Sequence, residues 1–360
     1  MTQAPARLER LRHELQALGL HAAVVSDPRH VYYLTGYHPL PNRPAYLVVA
    51  AGEVARLVAP RGAACDGVEV VPYLGYSIHE VFPALARSLE ALAGALPQAE
   101  PLGVERESVS LAALEAVGSP QTVDIGSVLR RMRLCKWPDE VALIRRCALL
   151  TDAGYQAAAE AIRAGGDELE VYLATRTAIE REAGEVTPFD GDFVSGERTL
   201  QHGGPPTCRR PRPGDTFIID LFPTYRGYWA DTCRTLAVSR PTPAQEALAE
   251  RVLAALEAGR RAIRPGLRAD ELYHLVKETL GHAGDNTSFS HHGGHAVGLW
   301  PHESPMIIPA DHTPLAEGMV ITLEPGLYLP DVGGVRFEDD YLVTADGCET
   351  LSRFPKVLAP

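Results

Sequence analysis

The chain has 360 residues, of which 22% are charged and 46% are hydrophobic, proportions that are typical of a globular protein and exclude a disordered chain. The formal net charge of −12 disfavours binding to nucleic acid or to an anionic membrane surface. A length of 360 residues favours two domains, since single domains usually have about 100–200 residues.

The sequence pattern predicts a cytoplasmic location. No apolar run approaches the roughly 20 residues that span a bilayer. The first residues carry charges where a signal peptide has an apolar stretch. The six cysteines are scattered without a CxxC pair, which disfavours a zinc–thiolate site and favours a reducing compartment with the thiols in the core.

Helices and apolar strands alternate through the first part of the chain. A stripe of leucines predicts a helix over residues 6–18 that packs in the core and ends at Gly19. The other patterns predict a Pro-rich loop over 38–44, a helix over 78–96 and strands over 22–26, 31–37, 45–50 and 122–125. This alternation is typical of a small α/β domain, which we place at residues 1–130.

The pattern of the sequence changes over residues 126–138. We therefore place a second domain at residues 131–360. Trp137–Pro138 interrupts the helical pattern, and Asp139 is a candidate cap for a long helix to about residue 164. The patterns that follow predict helices over 168–183, 243–263 and 270–282, with strands over 186–196, 216–222, 228–238, 289–297, 319–328 and 335–343. Helix, helix and strands thus occur twice, which indicates an internal duplication although no sequence repeat is visible.

Four acidic residues lie inside apolar, strand-like segments of the second domain. They are Asp220 in TFIIDLF, Asp231 in YWADTCRTLAV, Glu324 in MVITLEPGLYL and Glu338 in GGVRFEDDYLV. A single acid in such a place is more often a capped or salt-bridged structural residue. Four of them in one domain need a common compensating charge, because an unpaired buried carboxylate costs several kcal/mol. Two divalent cations supply the charge that matches four carboxylates.

Two further patterns favour a metal site. A turn around Tyr225–Gly227 predicts a hairpin that brings Asp220 and Asp231 onto neighbouring strands. Four of the 13 histidines fall in the segment SHHGGHAVGLWPHESP, namely His291, His292, His295 and His302. Oxygen-rich coordination with few imidazoles favours Mn²⁺ over a structural Zn²⁺, and two such ions form a known hydrolytic device.

These segments resemble the pita-bread metallopeptidases, the family of Xaa-Pro dipeptidase (prolidase), Xaa-Pro aminopeptidase and methionine aminopeptidase. The resemblance also covers the first domain, through LERLRHELQALGLHAAVVSDPRHVYYLTGY and RMRLCKWPDEVALIRRC. It implies an α+β chain with a C-terminal pita-bread domain of pseudo-twofold halves behind a smaller N-terminal α/β domain, and a homodimer. It also implies two metal ions on Asp220, Asp231, His295, Glu324 and Glu338, with Mn²⁺ favoured and Co²⁺ or Zn²⁺ as alternatives.

The resemblance assigns roles to further residues. His302 would hydrogen-bond the scissile peptide and stabilise the oxyanion, while Glu324 would take the proton of the attacking water and pass it to the proline nitrogen. His202 resembles a substrate-side histidine on the strand before the first aspartate, although its surroundings ERTLQHGGPPTCRRP lack the usual asparagine. The expected proline pocket consists of His291, Tyr328 and Arg336.

Other interpretations of these residues stay open. Tyr328 is equally well explained as core packing, and Arg336 is better explained as a support for Glu338 or for the fold. Glu303 is either a support for the site or a structural residue. We expect His292 and His38 to be bystanders, although His38 and Arg43 lie on a loop that could reach a site.

The implied reaction is hydrolysis of the peptide bond before proline in a dipeptide or short peptide, and we favour a dipeptidase. A dipeptidase needs a cation for the substrate carboxylate, and Arg336 or Arg43, from the same or a partner subunit, are the candidates. The segment LFPTYRGY departs from the family's small turn, so Phe222 and Pro223 put the substrate preference in doubt. The alternatives are an Xaa-Pro aminopeptidase, a metal-free binding protein and a metal-free creatinase-like hydrolase. Methionine aminopeptidase is disfavoured, because it normally lacks such a first domain.

Overall fold

The computed structural model of the chain describes residues 3–40, 42–76, 78, 84–97, 100–118, 121–281 and 289–358. The chain divides into two compact units, Met1–Arg133 and Leu134–Pro360. Within the described ranges, no helix is long and apolar enough to cross a membrane.

The first unit is a mixed α/β unit around a six-stranded sheet. Its elements are α1 (Ala4–Ala17), β1 (Ala22–Val25), α2 (Pro28–Thr35), β2 (Tyr46–Ala50), β3 (Arg56–Pro60), β4 (Glu69–Tyr73), α3 (Ala84–Ala95), β5 (Leu102–Val104), α4 (Leu111–Val117), β6 (Thr122–Asp124) and α5 (Gly126–Met132). The strand order is β4-β3-β2-β1-β5-β6. Strand β1 pairs antiparallel with β2 and parallel with β5, so the sheet combines both kinds of ladder.

One predicted strand of this unit is wrong. The segment predicted as a strand over 31–37 belongs to helix α2. The Asp27 side chain accepts a hydrogen bond from the Arg29 N–H at 2.8 Å, Pro28 is the first helical residue, and Gly36 ends the helix with a φ of 76°. These capping interactions outweigh the strand propensity of the β-branched and aromatic residues between them.

Several elements of the first unit escape the sequence patterns. Strands β3, β4 and β5 and helix α4 are short, and no strong periodicity marks them. The helix predicted over 78–96 is observed as α3 over Ala84–Ala95, while residues 79–83 of that prediction lie outside the described residues.

The second unit contains the predicted succession of helices and strands twice. The elements are α6 (Pro138–Arg163), α7 (Glu168–Ala183), β7 (Phe189–Ser195), a 3₁₀ helix (Gly196–Gln201), β8 (Thr216–Tyr225), β9 (Tyr228–Trp229), β10 (Thr232–Ala237), α8 (Pro243–Ala262), α9 (Ala269–Leu280), β11 (His295–Ala296), β12 (Glu303–Met306), β13 (Val320–Leu323), β14 (Gly326–Leu329), β15 (Gly333–Arg336), β16 (Asp339–Val343) and β17 (Cys348–Thr350). Helices α6 and α7 pack against the sheet β7-β8-β10, and helices α8 and α9 pack against the sheet β12-β11-β13-β16-β17.

Some boundaries in this unit differ from the predictions. Helix α6 begins at Pro138 and not after it, because proline is tolerated in the first turn of a helix. The helix predicted to end at residue 282 ends at Leu280, and residue 282 itself is not described. Of the strand predicted over 289–297, only His295–Ala296 is extended, since the preceding glycines make an irregular loop.

Two predicted strands are interrupted at glutamates. The strand predicted over 319–328 is split at Glu324–Pro325 into β13 and β14, and the strand predicted over 335–343 is split at Phe337–Glu338 into β15 and β16. At the second interruption the Glu338 N–H donates to the Cys233 carbonyl at 3.0 Å, which ties this segment to β10. Both glutamates therefore lie where a strand changes course.

Candidate metal centre

Five buried side chains from both halves of the second unit converge on one cavity. Asp220 lies within β8, and Asp231 follows the predicted hairpin, in which Tyr225 pairs with Tyr228. Arg226 and Gly227 at its tip have φ values of 48° and 81°, the left-handed pair that such a two-residue turn requires. The other three residues come from the second half: His295 begins β11, Glu324 follows β13, and Glu338 precedes β16.

The ligand atoms of these residues lie close enough to share cations. Asp220, Asp231 and Glu338 form one group in which the ligand atoms all lie within 4.8 Å of one another. His295, Glu324 and Glu338 form a second such group, and Asp231, His295 and His302 form a third. Glu338 is common to the first two groups, so the five residues are arranged around two adjacent positions.

Burial dominates the electrostatics of this cluster. Burial, reinforced by neighbouring carboxylates, raises the pKa of Asp231 and Glu338 well above the ordinary range and raises the pKa of Asp220 to about 7. Burial also lowers the pKa of His295 to about 4, so its imidazole is neutral at neutral pH. Burial acts to raise the pKa of Glu324 too, but His292 and two further histidines lower it to about 2.

Several buried oxygens in the cluster have no hydrogen-bond donor within the described part of the chain. They are Asp220 Oδ1, Asp231 Oδ1 and Glu338 Oε1. Buried polar atoms are normally satisfied, so three such oxygens at one place need an explanation. Divalent cations explain them, because four carboxylates and a neutral imidazole match the charge of two such ions. The residues present therefore fit a dinuclear metal site.

One member of the set has a basic partner. The Arg336 guanidinium donates from Nη2 to Asp220 Oδ2, while Asp220 Oδ1 faces the cluster without a donor. Among the described residues, no Lys or Arg forms an ion pair with Asp231, Glu324 or Glu338. The charge of the cluster is thus only partly neutralised by the protein itself.

Arg336 donates three hydrogen bonds to protein acceptors. Its Nη1 donates to the His202 carbonyl at 2.6 Å and to the Tyr328 hydroxyl at 3.0 Å, in addition to the bond from Nη2 to Asp220. The side chain therefore supports Asp220 and not Glu338. Its role in binding substrate stays a prediction: each Nη atom already donates to a protein acceptor, while the buried Nε has no acceptor within the described part of the chain.

Tyr328 and His291 are linked by hydrogen bonds that fix the tautomer of the histidine. His291 Nδ1 lies 2.8 Å from the His292 carbonyl, which can only accept, so Nδ1 carries the proton. His291 Nε2 lies 2.9 Å from the Tyr328 hydroxyl and accepts from it. Both ring nitrogens of His291 thus have hydrogen-bond partners. In the predicted proline pocket, His291 would therefore contact the substrate through the face of its ring.

His202 lies beside this pair, but it is not on a strand as predicted. It follows the 3₁₀ helix with a φ of 70°, because the chain turns sharply between β7 and β8. Its ring centroid is 4.3 Å from that of Tyr328, and its Nε2 is 2.9 Å from Ser290 Oγ. Burial lowers the pKa of His202, so its imidazole is mainly neutral.

His302 lies at the exposed edge of the cluster. Its ring centroid is 4.0 Å from that of His295. The loop before it is held by Glu303, which accepts hydrogen bonds at Oε1 from the Leu299 N–H at 3.0 Å and the Trp300 N–H at 3.3 Å. Glu303 Oε2 in turn lies 3.3 Å from Lys136 Nζ, and this pair is almost completely buried. Glu303 therefore supports the site through the His302 loop.

Two titratable residues of the cavity, His292 and Asp192, were not among the predicted site residues. His292 Nδ1 lies 2.8 Å from Glu324 Oε1, although its sequence neighbours gave no reason to separate it from surface histidines. Asp192 in β7 pairs across the sheet with Asp220, a register that no local pattern reveals. The cavity measures about 310 Å³ and is lined by Asp192, His202, Gly203, Asp220, Phe222, Asp231, His291, His292, His295, His302, Glu324, Arg336 and Glu338.

Comparison with known proteins identifies the family. Residues 142–345 match the model of metallopeptidase family M24, which is more than half of the chain, and residues 7–135 match the creatinase/prolidase N-terminal domain. The chain belongs to metallopeptidase family M24. The predicted resemblance is thereby confirmed, as is the α+β fold with its smaller N-terminal α/β domain.

Similar proteins of the M24 family match along almost the whole chain. The Xaa-Pro dipeptidase of Pyrococcus furiosus is 31% identical over 98% of this chain and 99% of that protein. The solved structure of the prolidase from Pyrococcus horikoshii OT3 has a TM-score of 0.87 at 28% identity, covering 98% of this chain and 99% of that one. The Xaa-Pro dipeptidase from Bacillus anthracis has a TM-score of 0.88 at 25% identity and covers 99% of both chains.

Proposed function

We propose that this chain is an Xaa-Pro dipeptidase that hydrolyses the peptide bond before proline with two divalent metal ions. The observation that carries the proposal is the convergence of four carboxylates and a neutral imidazole, with three buried oxygens that lack donors. The names of the similar proteins support the choice of substrate, since an Xaa-Pro dipeptidase acts on a dipeptide whose second residue is proline.

We propose Asp220, Asp231, His295, Glu324 and Glu338 as the metal ligands. Their oxygen-rich composition favours Mn²⁺, with Co²⁺ and Zn²⁺ as alternatives. When bound, the two ions acidify water and polarise the scissile carbonyl. A homodimer, a cytoplasmic location and domain limits at residues 130 and 131 belong to the same proposal.

The protein residues around the ions would perform the remaining steps. Glu324 takes the proton of the attacking water and passes it to the leaving proline nitrogen. His302, at the exposed edge, donates to the developing oxyanion. His291, Tyr328 and His202 form a wall of rings beside Arg336, and a prolyl ring would pack against this wall. Arg336 holds Asp220 and the His202 backbone in place.

The substrate carboxylate needs a donor that distinguishes a dipeptide from a longer peptide. The candidates for this role are Arg336, whose Nη atoms already donate to protein acceptors but whose Nε does not, and Arg43 of the same or a partner subunit. If no group closes the site beyond proline, the chain would instead be an Xaa-Pro aminopeptidase. A metal-free binding protein or creatinase-like hydrolase would have a broken ligand set, whereas all five positions here hold competent ligands.

The test uses purified protein stripped with a chelator and then supplied with Mn²⁺, Co²⁺ or Zn²⁺. We expect two ions per chain and cleavage of Xaa-Pro dipeptides that depends on the added metal. Xaa-Pro-Xaa tripeptides assayed in parallel should be poor substrates. Efficient tripeptide cleavage would favour the aminopeptidase, and activity that is unaffected by the chelator with only trace metal would refute the metallopeptidase mechanism.

A further inference from the structure

Asp192 is a carboxylate in the cavity that lies outside the proposed ligand set. It sits on β7 directly opposite Asp220, so its side chain is on the same face of the sheet and points to the same cavity. The side chain of Asp192 is 31% exposed to solvent, whereas the side chain of Asp220 is only 6% exposed. Asp192 is therefore within reach of a ligand that enters from solvent.

The Asp192 carboxylate is held in a fixed orientation by the backbone of the following loop. Its Oδ1 accepts a hydrogen bond from the Gly204 N–H at 2.9 Å. Gly203 lies against the same carboxylate, since a Cβ added there would come within 1.9 Å of Oδ2. Only glycine permits this approach. The carboxylate thus has one oxygen bound to the loop and the other at the cavity.

The nearby positive charge of Arg336 engages the Asp192 carboxylate only weakly, so this carboxylate can still bind another cation. Arg336 Nη2 is 4.0 Å from Asp192 Oδ2, at the limit of an ion pair, and that nitrogen already donates to Asp220. His202 lies on the same loop and is mainly neutral, because burial lowers its pKa. Asp220 lies opposite Asp192, so two carboxylates flank the single guanidinium of Arg336. A cation in this part of the cavity would meet a net negative surface.

We propose that Asp192 binds a basic side chain on the substrate residue that precedes proline. This inference rests on the proposed Xaa-Pro peptidase function. The α-amino group of that residue is only two bonds from the scissile carbonyl carbon and must lie beside the ligand cluster. Asp192 lines the same cavity and is more exposed than Asp220, so it is placed to meet the ammonium that the four-carbon stem of lysine carries away from the substrate backbone.

The test compares Lys-Pro with norleucine-Pro, which has an uncharged side chain of similar length. Asp192→Asn keeps an acceptor for the Gly204 N–H but removes the charge. We expect this variant to lower the ratio of kcat/KM for Lys-Pro over norleucine-Pro about 10- to 100-fold, the range of a hydrogen bond to a charged group. A ratio measured on one preparation does not depend on the fraction of folded enzyme. The matched control is Asp190→Asn, which removes the same charge from the same strand outside the cavity and should leave the ratio unchanged.

Two results would overturn the inference. One is an unchanged ratio in Asp192→Asn, including an equal loss for both substrates. The other is the same change in Asp190→Asn, which would indicate a general charge effect. Wild-type protein with Mn²⁺ that cleaves neither dipeptide would refute the proposed function itself, and the inference with it. These outcomes are distinguishable because the wild-type activity is measured first.

Discussion

Replacing Glu338 by glutamine should stabilise the metal-free protein and abolish its stabilisation by metal. Glu338 and Asp231 place ligand oxygens within 4.8 Å of each other, and neither has an arginine or lysine partner among the described residues. At an effective dielectric constant of about 20, two negative charges at this distance repel each other by about 3.5 kcal/mol. Glutamine has nearly the same shape and removes this repulsion.

The sign of the pH dependence follows from the raised pKa of Glu338. In the unfolded chain this carboxyl titrates near its ordinary pKa of 4.5, and burial places its pKa well above that value in the folded protein. Between the two pKa values the folded state binds more protons, so the wild-type stability falls as the pH rises through this interval. The advantage of the variant should therefore be largest above the folded pKa and disappear as the pH falls towards 4.5.

Thermal unfolding in the presence of a chelator measures this advantage directly. About 3 kcal/mol corresponds to a rise in Tm of roughly 6–12 °C for a unit of this size. Added Mn²⁺ should raise the Tm of the wild type and leave that of Glu338→Gln nearly unchanged. Glu317→Gln, a change at an exposed glutamate, is the matched control and should alter neither value. The reasoning is refuted if the difference in Tm between Glu338→Gln and the wild type in chelator does not grow as the pH is raised, or if the variant keeps the full stabilisation by metal.

Three further substitutions test the groups around the centre. Lys136→Met leaves the buried carboxylate of Glu303 without its counter-charge, so urea unfolding should show a loss of about 3–5 kcal/mol, partly recovered in the double variant with Glu303→Gln. His302→Ala should lower kcat about 100-fold, while metal analysis still finds two ions per chain; loss of metal together with activity would contradict a role in oxyanion stabilisation. Tyr328→Phe removes the hydroxyl that joins His291 to Arg336 and should cost about 1 kcal/mol of stability in urea unfolding, with KM raised more than kcat is lowered in steady-state assays.

The candidate ligands could be predicted because their chemistry conflicts with their local sequence. Acids inside apolar strands are costly unless something compensates them, and this conflict is visible at Asp220 and Glu324 without any structure. The hairpin between Asp220 and Asp231 is equally predictable from the sequence, since its turn is short and local. The resemblance to the family then supplied the order of the ligands and the fold.

The features that escaped prediction depend on contacts between distant residues. The register that places Asp192 opposite Asp220 is set by the pairing of β7 with β8, two strands separated by a long loop. The pair of Lys136 and Glu303 joins residues 167 positions apart. The strand predicted over 31–37 failed for a local reason, because the caps at Asp27 and Gly36 outweigh the β propensity between them.

The five candidate ligands are divided between the halves of the second unit, with Asp220 and Asp231 in the first and the other three in the second. The position formed by Asp220, Asp231 and Glu338 takes ligands from both halves, whereas His295, Glu324 and Glu338 all belong to the second half. An ion at the first position would connect the two halves, so the affinity for that ion reports how well the halves are aligned. A substitution far from the cavity that shifts one half against the other should therefore weaken metal binding before it unfolds either half.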